Sequence, residues 1–254
     1  MGEPIGLAFL LATLAGLSTV LGSLLAILVR KPGPRFMVLT LGFSAGVMLL
    51  VAFSELLPHG VETAGFLPAH GAFFLGMALM FLVDILVPHQ YLGGERPAVK
   101  QSYDGSFLRT GVLVALGVAI HNFPEGMATF AGTMENPRLG LAVAVAVAIH
   151  NVPEGLAVSG PIYAATGSRA RAFGWTLMSG IAEPLGAVVT ALVLLPFLSP
   201  VLLGLVLAAV AGVMVFISLD ELVPVACSLA EDHLPIAGVL AGMMLMALSL
   251  WILQ

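Results

Sequence analysis

Two segments of the chain repeat one pattern of chemistry-bearing residues: His121-Asn122-Phe123-Pro124-Glu125-Gly126 and His150-Asn151-Val152-Pro153-Glu154-Gly155. In each, histidine and glutamate are separated by four positions, which on a helix puts imidazole and carboxylate on one face. The asparagine is rotated about 100° to one side of that face. Two imidazoles and two carboxylates make an N/O donor set that suits Zn²⁺, Fe²⁺, Mn²⁺ or Co²⁺. The single cysteine, Cys227, offers no thiolate cluster for Cu(I) and no intrachain disulfide. Metal binding needs neutral histidine and ionised glutamate, so it should release protons and weaken as pH falls. Each proline removes an N–H, which leaves the carbonyls of Ile120 and Ile149 without helical partners and loosens the helix beside the candidate ligands. A lone histidine in a membrane is as well explained by a helix–helix hydrogen bond, and a lone glutamate by a protonated packing group. Two copies of the pair are not, because ionisable groups in lipid are costly.

The elements that must position these residues are membrane helices. Hydrophobic residues make up 59% of the chain and charged residues 9%, against the ~25% charge of soluble domains. Mean hydropathy is +1.09, and several apolar runs approach or exceed the ~20 residues that cross a bilayer. The apolar pattern predicts eight helices, at 5–29, 37–57, 67–88, 108–132, 138–161, 171–194, 199–224 and 235–253. They are separated by KPGPR at 31–35, PHG at 58–60, a polar stretch over 89–107, ENPR at 135–138, ATGSR at 165–169, LSP at 198–200 and EDH at 231–233. The N-terminal apolar stretch lacks a basic leader and is expected to be an uncleaved span. No soluble domain is visible, and 89–107 is expected to be a cytoplasmic loop. Gly42 and Gly46, like Gly238 and Gly242, have the spacing of small-residue helix packing.

Eight spans put both termini on one side. Arg30, Lys31, Arg35, Arg96, Lys100, Arg109, Arg169 and Arg171 then all fall on the other side, and only Arg138 on the side of the termini. That asymmetry makes the basic side cytoplasmic and both termini extracytoplasmic. His121 and His150 lie near the middle of the antiparallel fourth and fifth spans, where they can meet at the midplane. The net charge of −5 and the lack of a basic stripe exclude nucleic acid as a partner. The partners expected are divalent metal ions and the lipid bilayer; a homodimer is compatible with the sequence.

On these residues the chain resembles the ZIP (Zrt/Irt-like) family of divalent-metal transporters, and within it a bacterial branch. Besides both HN-x-PEG segments, the likeness includes LGFSAGVM at 41–48, PIYAATGS at 161–168, SGIAEP at 179–184 and DELVP at 220–224, and it covers essentially the whole chain. The resemblance implies an all-α polytopic fold of eight transmembrane helices, with helices 1–3 and 6–8 related by an inverted repeat around helices 4 and 5. It implies a single transmembrane domain over 1–254 in a prokaryotic cytoplasmic membrane. It also implies a binuclear centre. One site would use His121, Glu125, His150 and Glu154 with Met48 nearby; the other would use Asn122, Asn151 and Glu183 and share Glu125 and Glu154. Some relatives carry glutamine and aspartate where this chain has His150 and Asn151, and the neutral Asn151 removes one negative charge from the second site. Members that share these residues are associated with broad selectivity, iron and manganese included.

Position alone marks further polar groups as a possible ion path: Glu55 and His59 near the outer end of the second span, and Asp84, His89, Asp220 and Glu221 near inner ends. End-of-helix charges that reach headgroups or water account for them equally well. The function expected is import of zinc, with iron, manganese or cobalt, by alternating access, the metal being cargo rather than cofactor. Two other functions use the same residues. A passive metal-selective channel differs in gating, and an intramembrane metallohydrolase would need an open coordination position and a general base. The chain has no H-E-x-x-H segment, so it is not expected to be an enzyme.

Overall fold

The computed structural model describes residues 2–29, 34–86, 105–194, 197, 199–230 and 233–253. The described chain is helical, with α1 (Gly2–Val29), α2 (Pro34–Val51), α3 (Leu57–Ala64), α4 (Phe66–Leu86), α5 (Gly105–Glu135), α6 (Pro137–Thr166), α7 (Arg169–Leu194), α8 (Pro200–Ile217), α9 (Val223–Ser228) and α10 (Leu234–Leu253). Two five-residue π-helical turns, Ala52–Leu56 and Ser218–Leu222, join α2 to α3 and α8 to α9. Among the described residues, seven helical stretches are long and apolar enough to cross a membrane, including Val38–Ala64 and Pro200–Ser228, which each run through a π turn. The 31-residue α5 packs against α1, α6, α7 and α8.

The structure corrects two expected boundaries. The second span does not end at 57, and Pro58-His59-Gly60 is no break; the helix continues to Ala64, where Gly65 turns the chain at φ 87°. The seventh likewise runs beyond 224, to Ser228. Proline removes one helical donor and crowds the preceding turn. In both places a wide turn directly precedes it, with Leu57 N–H donating to the Ala52 carbonyl and Val223 N–H to the Ser218 carbonyl. That shift in hydrogen-bond register lets Pro58 and Pro224 sit inside a continuing helix.

Short connections set the antiparallel neighbours. Asn136 alone separates α5 from α6; its side chain caps α6 by accepting the Arg138 N–H at 2.9 Å, with Pro137 in the first turn. Gly167, at φ 60°, ends α6 with its N–H on the Tyr163 carbonyl. Ser199 caps α8 through the Leu202 N–H at 3.2 Å.

Helices pair where glycine lets backbones touch. Gly42 and Gly46 of α2 do pack on Gly238 and Gly242 of α10: a Cβ on Gly46 would strike the Val239 carbonyl, and one on Gly242 the Phe43 carbonyl. The α4–α8 pair is built the same way, with Gly212 against the Phe73 carbonyl and Gly76 against the Ala209 carbonyl. Such contacts maximise van der Waals packing where lipid supplies no hydrophobic drive between helices. Large apolar side chains such as Leu75, Phe74, Leu192 and Trp251 point outward, a surface suited to acyl chains rather than water. The polar side chains point inward: Ser44, Asn122, Glu125, His150, Asn151, Glu154 and Glu183 are all at most 1% exposed.

Candidate metal centre

Both HN-x-PEG segments remain helical through Pro124 and Pro153, halfway along α5 and α6. The two helices pack on one another, with α7 against α5 and α1 against α6. The glycine closing each motif makes these crossings possible. A Cβ on Gly126 would overlap the Glu183 carbonyl of α7, and one on Gly155 the Thr19 carbonyl of α1. Conversely, Gly186 of α7 abuts the Phe123 carbonyl, and Gly22 of α1 the Val152 carbonyl. The loosening expected beside each proline is therefore matched by tight packing on the same turns.

Across this interface the motifs pair with each other. His150 Nε2 lies 3.0 Å from Glu125 Oε1, with both residues fully buried. A cation coordinated through Nε2 would take the place of the proton in this hydrogen bond. Glu154 accepts a long hydrogen bond from Ser44 Oγ of α2, at 3.4 Å, and the same hydroxyl lies 3.4 Å from the His150 carbonyl. Asn151 Nδ2 donates to the Ala15 carbonyl of α1 at 3.1 Å, and also to Glu183 Oε1 of α7. Asn122 Nδ2 donates to the Ser179 carbonyl of α7 at 3.2 Å, and Ser179 Oγ in turn donates to the Ala115 carbonyl at 2.8 Å.

Among the described residues, several oxygens here have no hydrogen-bond donor: Asn122 Oδ1, Glu125 Oε2, Asn151 Oδ1, Glu183 Oε2 and Thr19 Oγ1 are all buried and unpartnered. Buried polar atoms are rarely left so, and three buried carboxylates in an apolar bundle need a cation or protons as compensation. Among the described residues, no three His, Cys, Asp or Glu side chains converge closely enough to hold a metal ion. The side chain of His121 lies outside the described residues. Met48 is fully buried in the central apolar cluster, one turn beyond Ser44 on α2.

The residues marked as an ion path separate by position. His59 of α3 faces Glu135 at the end of α5, Nε2 to Oε1 3.8 Å, with both partly exposed. Glu55 stands half-buried in the first π turn, Glu221 half-buried and Asp220 exposed in the second, and Asp84 half-buried near the end of α4. His89 lies outside the described residues. Sequence reasoning did not single out Ser44, Glu135, Ser179, Thr19 or the Ala15 carbonyl. Only Ser44 carried a local signal, standing four residues before Met48 on the same helical face.

The family model described as ZIP Zinc transporter matches residues 92–250. A protein named zinc transporter ZupT from Chlorobium phaeovibrioides is 52% identical, with 97% of each chain covered. Proteins of the same name from Corynebacterium aurimucosum and Salmonella arizonae are 47% and 46% identical, with 97% and 96% of each chain covered. A family match over more than half the chain, together with relatives of this identity along nearly its whole length, makes this multi-pass membrane protein a member of the ZIP family.

Proposed function

We propose that this chain imports Zn²⁺, and also Fe²⁺, Mn²⁺ or Co²⁺, across the cytoplasmic membrane of a prokaryote through the centre between α5 and α6. The relatives' name supports zinc as cargo, and it supports a transporter rather than a hydrolase. The observation that carries the site is the set of buried, donorless oxygens on Asn122, Glu125, Asn151 and Glu183, gathered on helices that also hold His150 and Glu154. In this reading His121, Glu125, His150 and Glu154 hold one cation, with Met48 beside them. Asn122, Asn151 and Glu183 hold the second and share the two motif glutamates. Mixed N/O ligands and shared carboxylates suit a transport site, which must release its ion.

In the same reading α5 is the eighth span, and both termini face outward because the basic connections lie inside. The spans before and after the α5–α6 pair are an inverted repeat. This is supported by the matching π turns before Pro58 and Pro224. It is supported too by the contacts of Gly46 on Val239 and Gly242 on Phe43, which recur at one constant shift in numbering as those of Gly212 on Phe73 and Gly76 on Ala209. Alternating access then moves α5 and α6 relative to the repeat helices. Glu55, His59 and Glu135 stand on the outer route and Asp84, His89, Asp220 and Glu221 on the inner one.

Flux in proteoliposomes tests the proposal. Replacing His121 and His150 together by alanine is expected to cut Zn²⁺ uptake by at least about 100-fold, as loss of two ligands requires, while the protein stays monodisperse in detergent. Undiminished flux would overturn the site. Uptake of the intact protein should saturate with metal concentration and fall on acidification.

A further inference from the structure

The two crossings beside the centre correspond contact by contact. Gly126 meets the Glu183 carbonyl as Gly155 meets the Thr19 carbonyl, and Gly186 meets the Phe123 carbonyl as Gly22 meets that of Val152. Where α1 meets α7, Gly16 and Gly180 abut each other's carbonyls. A Cβ on Gly16 would lie 3.2 Å from Glu183 Cβ, and one on Gly180 would lie 3.4 Å from Thr19 Cβ. The hydrogen bonds follow the same exchange: Asn151 donates to the carbonyl of Ala15, just before Gly16, and Asn122 to that of Ser179, just before Gly180. Thr19 on α1 therefore stands where Glu183 stands on α7.

The two side chains differ in reach and charge. Glu183 is long enough to receive the Asn151 amide. Thr19 is two atoms shorter, and both its Oγ1 and the Asn122 Oδ1 are buried without partners. A threonine inside a helix ordinarily donates to the carbonyl four residues back, as Thr13, Thr133, Thr176 and Thr190 do here. Thr19 does not; its counterpart carbonyl, Ala15, is taken by Asn151 instead. The hydroxyl oxygen is thus fully buried, committed to nothing, and set across the crossing from the only carboxylate that α1 or α7 brings to the centre.

We infer that Thr19 Oγ1 is a further cation contact at the second site, a neutral oxygen opposite Glu183 that favours oxygen-preferring cations. The inference rests on the metal-centre reading above. Mn²⁺ takes more oxygen ligands than Zn²⁺ and gains less from imidazole, so losing one oxygen should weigh more on Mn²⁺.

The test is saturation kinetics of Mn²⁺ and Zn²⁺ uptake by the full chain in proteoliposomes. Thr19→Val keeps the shape and removes the oxygen. It is expected to raise the KM for Mn²⁺ about tenfold and that for Zn²⁺ less than about threefold, with Thr19→Ser restoring both. Equal changes for the two metals mean that Thr19 only packs, and no change means that it contacts no cation; either result overturns the inference. If the valine variant does not fold, Thr19→Ala serves the same comparison. His150→Ala measured in parallel separates the two levels. If it loses uptake while Thr19→Val matches the parent, Thr19 alone fails. If it too keeps full uptake, the metal-centre reading fails.

Discussion

The α5–α7 and α6–α1 crossings share a backbone arrangement but not a chemistry. In each, a motif glycine lies against a carbonyl of the neighbouring helix, that helix returns a glycine against the motif, and an asparagine amide holds the next carbonyl along. On α7 the residue at the contact is Glu183; on α1 it is Thr19. Close packing therefore fixes the frame, because a Cβ at any of these glycines would displace backbone rather than a mobile side chain. Charge is free to differ within the frame. In the proposed centre, a cation between the crossings would meet a carboxylate on one wall and a hydroxyl on the other, which would hold it less tightly than two carboxylates and so ease release.

The histidine pair should show the largest effect, since it tests whether the two motifs form one centre at all. Abolition of uptake in the double alanine variant, with the fold intact, keeps the comparison meaningful. The glycines come next. Gly126→Ala and Gly155→Ala each force a methyl onto a carbonyl of the facing helix, and overpacking of this kind costs about 1–3 kcal/mol. Thermal unfolding in detergent should show the two variants destabilised to a similar degree. A large loss for one and none for the other would break the backbone equivalence on which the reading of Thr19 depends.

Much of this frame was open to sequence reasoning and part of it was not, for physical reasons. The HN-x-PEG segments were legible because their residue types are costly in lipid and appear twice at helical spacing. The pairing of His150 with Glu125 was not, because i,i+4 spacing describes one helix and this contact joins two. Thr19 was invisible for a related reason: a threonine in an apolar run is ordinary, and only the glycine contacts of α1 with α6 and α7 give it a counterpart. The helix end at 57 is misplaced because Pro58 reads as a breaker, whereas a π turn ahead of it lets the helix continue; the π turn ahead of Pro224 likewise carries the seventh span on to Ser228.

Asn151 sharpens the charge difference. Its amide donates to Glu183 and to the Ala15 carbonyl together, so it serves as the donor that steadies the α7 carboxylate. Asn151→Asp replaces that donor with a second carboxylate, and two buried acids in contact require a cation or a proton between them. Metal titration should show the second site tightened by about tenfold, in line with the gain from one added charged ligand. The same variant should be less stable than the parent in chelator and should recover on adding Zn²⁺. Unchanged affinity and stoichiometry would show that position 151 does not face the cation.

The smallest effect is expected at Ser44, and it bears on the helices that flank the centre. By the shift that carries Gly46 onto Gly212, Ser44 and Met48 of α2 correspond to Val210 and Met214 of α8, all four buried. Only α2 presents a hydroxyl there, and it reaches Glu154 at 3.4 Å, at the long edge of hydrogen bonding. Glu125, the matching glutamate on α5, is held by His150 instead. Ser44→Ala thus removes a weak hold on Glu154 and leaves Glu125 untouched. The loss of one such bond, about 0.5–1 kcal/mol, corresponds to a two- to fivefold rise in KM with kcat unchanged. A drop in kcat of tenfold or more would mean that α2 takes part in the moving step, and that the flanking helices differ in more than the ligands they orient.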